Sequence, residues 1–143
     1  LSLHHNKLKA LPENIGDLQN LEELNLSYNN LSSLPQSLIT LKNLKVLYLS
    51  RNQLKDLPFG WVYMESLHTI DIQRNQLNEL PEEWAAMDGL QYLNIANCGS
   101  MIYMPDSYCY FQNMEELTVG RNMVIPGCMA VPANRAMRVV VVP

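Results

Sequence analysis

The sequence predicts an α/β solenoid, a horseshoe of about six rungs with a parallel concave β-sheet and short helical or irregular convex segments. Three observations predict it. A 23-residue period aligns Leu21-Glu-Glu-Leu24-Asn-Leu26-Ser-Tyr-Asn29, Leu44-Lys-Val-Leu47-Tyr-Leu49-Ser-Arg-Asn52 and Leu67-His-Thr-Ile70-Asp-Ile72-Gln-Arg-Asn75, with further copies beginning at Leu90 and Met114. A Leu-Pro step recurs in phase at Leu11-Pro12, Leu34-Pro35, Leu57-Pro58 and Leu80-Pro81, then as Met104-Pro105 after one inserted residue. A column of asparagines, Asn6, Asn29, Asn52, Asn75 and Asn122, closes the strand segments, with Cys98 in that place in one unit.

The elements follow in order along each unit. Alternation in the strand sends Leu24 and Leu26, or Leu47 and Leu49, inward and the residues between them outward. Successive strands then lie about 4.8 Å apart as parallel neighbours, each returning half-turn serving as the crossover. Where the chain leaves the strand, backbone groups lose their ladder partners. An amide side chain carries both donor and acceptor and bridges them from rung to rung. Cys98 reads as a structural stand-in for the amide rather than a reactive or metal-binding thiol, because a thiol tolerates burial and donates weakly.

The outer half of each unit begins with proline, whose fixed φ suits the first position of a short helix. Two apolar columns follow at three-residue separation: Ile15, Leu38, Trp61, Trp84, Tyr108 and Leu18, Leu41, Met64, Met87, Phe111. That spacing puts both members on one inward stripe, so the two tryptophans read as convex-side core rather than a ligand platform. Gly16 and Gly60 fall where a tight helical turn ends or bends.

Residues 1–143 form one domain, with irregular outer segments expected at 99–111, around the inserted residue, and at 123–136, where Pro126-Gly127 and Pro132 replace the Leu-Pro pattern. Leu1 occupies the second leucine position of a unit, and Met137-Arg-Val-Val140-Val-Val142 reads as the start of a further strand. Neither end resembles a polar cap, so the chain is expected to belong to a longer array.

Composition narrows the function classes. A net charge of −4 is too mild to imply nucleic acid or an anionic membrane, and the apolar run Val139 to Val142 is far short of a membrane span. Three cysteines at irregular spacing do not suggest a disulfide framework. Asn25-Leu-Ser27 and Asn30-Leu-Ser32 match the glycosylation pattern, but the repeat writes that triplet by itself. A cytoplasmic location is expected.

On these residues the chain resembles the leucine-rich repeat family over nearly all its length. The unit Leu11-Pro-x-x-Ile15-Gly-x-Leu18-x-Asn-Leu21 is similar to the 23-residue intracellular class of Ras-suppressor and Scribble-like proteins and of plant intracellular Ras-group repeat proteins. That resemblance implies a signalling scaffold that engages a small GTPase, a phosphatase or an adaptor. One rung departs, since Cys98-x-x-Met101-x-x-Met104-Pro105 is similar to units of NOD-like immune receptors. A ligand-sensing region of such a receptor is the alternative, and a structural spacer in a large assembly is a third.

Catalysis finds little support. His4 and Ser27 evoke a base and a nucleophile, but a triad needs a third orienting group in a sheltered cleft, which a broad sheet does not offer. The pairs Glu22-Glu23, Glu82-Glu83 and Glu115-Glu116 are adjacent in sequence, and adjacent strand residues point to opposite faces. There is no Gly-rich phosphate loop, no Cys-x-x-Cys and no His-Glu-x-x-His, and neither a cofactor nor a metal is expected.

Specificity is expected on the concave face, at Tyr28, Tyr48, Arg51, Asp71, Arg74, Tyr92 and Arg121. Tyrosine and arginine concentrate interface energy. Ser27, Ser50, Ala96 and Gly120 are expected as exposed strand positions, and the small Ser50, Ala96 and Gly120 leave these side chains accessible. The partner is then a protein with an acidic surface. The bland reading is that the arginines pair with Asp71, Glu116 or carboxylates of adjacent rungs and keep the face soluble, a role worth about 0–1 kcal/mol per exposed pair.

Overall fold

The computed structural model describes residues 1–99, 103–121, 123–130 and 137–143. Six short strands, β1 (Glu23–Asn25), β2 (Val46–Tyr48), β3 (Thr69–Asp71), β4 (Tyr92–Asn94), β5 (Glu116–Gly120) and β6 (Arg138–Val142), form one parallel sheet in chain order. The register steps by one period from β1 to β4, Leu24 against Leu47, Leu47 against Ile70 and Ile70 against Leu93. The inserted residue is absorbed between β4 and β5, where Leu93 faces Leu117. Ser2 bridges Asn25, and Leu3 N–H donates to Asn25 O at 2.8 Å, so the first residues add a partial rung to the sheet.

A single 3₁₀ turn precedes each strand: Glu13–Asp17, Gln36–Thr40, Trp61–Tyr63, Glu82–Ala86, Asp106–Tyr110 and Gly127–Ala130. Pro12, Pro35, Pro81 and Pro105 each stand immediately before a turn and accept its first hydrogen bond. In the third rung Gly60, at φ 91°, intervenes between Pro58 and the turn. That left-handed backbone costs glycine nothing, and the Glu83 carboxylate accepts the freed Gly60 and Trp61 N–H groups at 2.8 and 2.9 Å. Gly16 answers a different need from the one expected. It lies inside its turn, and a Cβ there would come within 2.6 Å of Ser37 O on the next rung.

The core is one stack of inward columns. Leu24, Leu47, Ile70, Leu93 and Leu117 line the sheet side, and Leu38, Trp61, Trp84 and Tyr108 line the outer side. The tryptophans meet edge to face at 5.2 Å, and Trp61 Nε1 donates to Pro58 O at 2.6 Å. In the next rung Pro81 O instead accepts from the Tyr108 hydroxyl at 3.1 Å, and Trp84 Nε1 is buried without a hydrogen-bond partner among the described residues. Leu18, expected in the inward stripe, is 44% exposed. Its column continues to Leu41 on one side, and no rung within residues 1–143 lies on the other.

The asparagine column forms the expected ladder at three positions. Asn52 Nδ2 donates to Leu26 O and Leu49 O at 3.0 Å, while its Oδ1 accepts Leu31 N–H at 3.0 Å. Asn29 and Asn75 repeat this pattern. Asn6 is exposed and donates only locally, and Asn122 lies outside the described residues. Cys98 donates its thiol to Ile72 O at 3.2 Å, and burial pushes its pKa up to about 12.

The cysteine reading needs one correction. Cys109 and Cys128, with Cα atoms 5.9 Å apart, form a disulfide between the fifth 3₁₀ turn and the sixth. Their sequence separation of 19 does not match the period, so the pairing emerges only when adjacent rungs are laid side by side. Of the segments expected to be irregular, 106–110 and 127–130 form 3₁₀ turns like those of the other rungs, and 100–102 and 131–136 lie outside the described residues. Among the described residues no helix is long and apolar enough to cross a membrane.

Candidate protein-binding face

Three-residue strands put their middle leucine or isoleucine into the core and leave two rows on the open face of the sheet. One row runs Asn25, Tyr48, Asp71, Asn94, Thr118, and the other Glu23, Val46, Thr69, Tyr92, Glu116. Tyr48 and Asp71 are therefore direct neighbours in one row, and Tyr92 stands in the other. Gln73 donates to Asp71 through its backbone N–H at 3.1 Å and its amide at 3.2 Å. Burial raises the Asp71 carboxyl above its ordinary range, the two hydrogen bonds from Gln73 opposing this. The Tyr92 hydroxyl donates to the Glu115 carboxylate on the next rung. That hydrogen bond, then the charge of Glu115, raises the phenol above its usual value.

Beyond the strands comes a feature with no counterpart in the strand-alternation reading. His5, Tyr28, Arg51, Arg74 and Asn97 occupy one column, and each has φ between 56° and 58°. The left-handed conformation costs a non-glycine residue roughly 1–2 kcal/mol, with asparagine the easiest exception. It persists because each backbone N–H continues the ladder: Tyr28 N–H donates to Ser50 O, Arg51 N–H to Gln73 O and Arg74 N–H to Ala96 O. The turn throws the side chain outward, and Tyr28, Arg51, Arg74 and Asn97 are exposed. Arg121 follows β5, is exposed, and makes the same kind of bond to Val142 O at 3.0 Å.

The column is stacked as well as aligned. His5 lies parallel to Tyr28 at 4.0 Å, and the Arg51 guanidinium sits 4.9 Å from the Tyr28 ring centre. Such a cation–π contact contributes about 0.5–1 kcal/mol at an exposed site. Pairing of the arginines with Asp71 or Glu116 is not observed. The ion pairs among the described residues are Lys45 with Glu22 at 2.7 Å and Arg138 with Glu116 at 3.7 Å.

The small residues between strand and column behave differently from expectation. Ser27, Ser50, Ala96 and Gly120 are buried, because the chain there turns under the neighbouring rung. Ser50 Oγ donates to Ser27 Oγ at 3.0 Å, and a Cβ on Gly120 would stand 3.1 Å from Asn97 N. Smallness is needed for rung-to-rung approach, not for access to the face. His4 and Ser27 are not brought together as a base and nucleophile, since Ser27 is occupied by Ser50 and Ser2 Oγ lies 2.6 Å from His4 Nδ1. No cluster of three or more histidine, cysteine or acidic side chains among the described residues is arranged to hold a metal.

The sequence placed Tyr28, Arg51 and Arg74 on the face, but not in a left-handed column. The available signal was the constant one-residue offset between each of these residues and the closing asparagine or cysteine, which marks the strand exit.

The model of the leucine rich repeat family matches residues 1–54 and 42–99. Among solved structures, a leucine-rich repeat protein of Leptospira interrogans superposes with a TM-score of 0.86 at 25% identity, over 97% of this chain and 36% of that one. The plant peptide hormone receptor RGFR1, in complex with RGF2, superposes with a TM-score of 0.78 at 25% identity, over 92% of this chain and 22% of that one. The chain thus spans little more than a third, or less, of the length of these structures. No curated protein sequence matches it.

Proposed function

Because the chain belongs to the leucine-rich repeat family, we propose that it is a non-catalytic protein-binding module that docks its partner on the open face of its sheet. The contact centres on the left-handed column of Tyr28, Arg51 and Arg74, with Tyr48, Asp71, Tyr92 and Arg121 beside it. One observation carries the reading. Large side chains sit where asparagine or glycine would strain the backbone least, and the two column arginines make no ion pair among the described residues. A rigid array of arginine and tyrosine lowers the ordering cost of association and favours an acidic, partly apolar protein surface. The receptor solved in complex with RGF2 supports a polypeptide ligand for this fold.

The wider setting rests on the repeat unit's resemblance to the intracellular class: a cytoplasmic signalling scaffold engaging a small GTPase, a phosphatase or an adaptor. The Cys98 rung favours a second reading, the sensing region of a NOD-like immune receptor, which a nucleotide-binding domain elsewhere in the full-length protein would support. Affinity capture with the full-length protein tests the face itself. The double substitution Arg51→Glu with Arg74→Glu is expected to weaken partner capture by about a hundredfold or more at an unchanged melting temperature. Capture equal to that of the wild type overturns the assignment.

A further inference from the structure

A groove of about 960 Å³ lies away from the sheet's open face, on the flank where three successive rungs leave their strands. Its apolar wall is made by the in-phase steps Leu57-Pro58, Leu80-Pro81 and Met104-Pro105. Two aromatic rings of the same groove are left largely in water, Phe59 at 81% exposure and Tyr103 at 73%. The backbone holds both in place. Phe59 O accepts from Gln36 Nε2 at 2.7 Å, and Tyr103 forms a parallel bridge with Val124.

Charge in the groove has one sign. Asp56, Glu79, Glu82 and Glu83 line it, and among the described residues no lysine, arginine or histidine does. Glu83 is engaged by the backbone of the third turn, whereas Asp56, Glu79 and Glu82 are exposed and form no ion pair among the described residues. The arginine column on the open face has the opposite sign, so the two surfaces suit different chemistry.

We propose that this groove is a second docking surface, which takes a cationic, proline-containing extended segment of a protein partner. Proline-rich segments dock into aromatic-lined grooves because their conformation is already ordered. Here prolines would pack on the Leu-Pro wall between Phe59 and Tyr103, and flanking arginines would face Asp56, Glu79 and Glu82. A guanidinium also gains from lying over an aromatic ring. Three rungs span about 10 Å, the length of about three extended residues. So short a contact is weak alone, and it gains strength when the same partner also engages the open face.

The probe is the peptide acetyl-Arg-Pro-Leu-Pro-Arg-amide, titrated into the isotope-labelled protein and followed by amide chemical shifts. Shifts are expected at Phe59, Glu79, Glu82 and Tyr103 and not along β1–β5. Replacing both peptide arginines with glutamine is expected to weaken binding roughly tenfold, as is the double variant Asp56→Asn with Glu79→Gln. Phe59→Ser, at an exposed position, provides a second test that does not alter charge and is expected to weaken binding severalfold. Absence of shifts in the groove at millimolar peptide, equal binding of the glutamine peptide, or shifts confined to the sheet each overturn the proposal. The variant Arg51→Glu with Arg74→Glu is expected to bind the peptide as the wild type does, which separates this outcome from that of the open face.

Discussion

Rungs closed by Asn29, Asn52 and Asn75 and the rung closed by Cys98 face the same difficulty, a strand end whose backbone groups have left the ladder, and meet it with different atoms. The amide works in both directions. Asn52 gives its hydrogens to carbonyls of its own rung and the one before, and takes the Leu31 N–H in return. Cys98 keeps the donor half, to Ile72 O, and no counterpart of the amide oxygen's bond is seen there among the described residues. Beyond Cys98 the described residues add a five-residue pairing of β5 with β6, and the Cys109–Cys128 disulfide on the outer side. Among the described residues, the rungs up to Asn75 are thus stitched by a repeated polar device, and those after Cys98 show a longer pairing and one covalent link.

The largest effect expected is at the middle of the amide column. Asn52→Ala strands the Leu31 N–H and two carbonyls in the interior, at about 1–3 kcal/mol for each unsatisfied group, so urea denaturation should show a loss of about 3 kcal/mol or more. A loss below 1 kcal/mol would mean that the ladder is incidental. Next comes the covalent link. Cys109→Ser with Cys128→Ser opens a loop with a sequence separation of 19, and chain-entropy reasoning puts the loss at about 3 kcal/mol. A count of alkylatable thiols on protein taken directly from cells sharpens this: a single thiol after denaturation places the protein in an oxidising compartment, and three place it in the cytoplasm. The smallest effect is at Cys98. Cys98→Ala removes one donor to Ile72 O and is expected to cost about 1 kcal/mol. With its pKa near 12, the folded protein should resist thiol reagents at this position at pH 8, and rapid labelling would show the thiol to be functional rather than structural.

Much of the fold was legible because repetition averages out local ambiguity. No single Leu-x-x-Leu-x-Leu segment distinguishes strand from helix, but five in phase leave one way to share a core. The columns of Leu24 and Leu47, of Trp61 and Trp84, and of the closing asparagines are direct consequences. The candidate face was legible in membership only. Tyr48 and Asp71 follow from strand alternation, whereas the left-handed turn beneath Tyr28, Arg51 and Arg74 does not.

The sequence by itself determined the period, the inward columns and the order of the sheet, since these depend on which residues recur and recurrence is written along the chain. Only the tertiary structure decided that Ser27, Ser50, Ala96 and Gly120 turn under the next rung and that Cys109 meets Cys128. Each of these depends on how closely one rung approaches another, and that distance is set by the packing of all the rungs together.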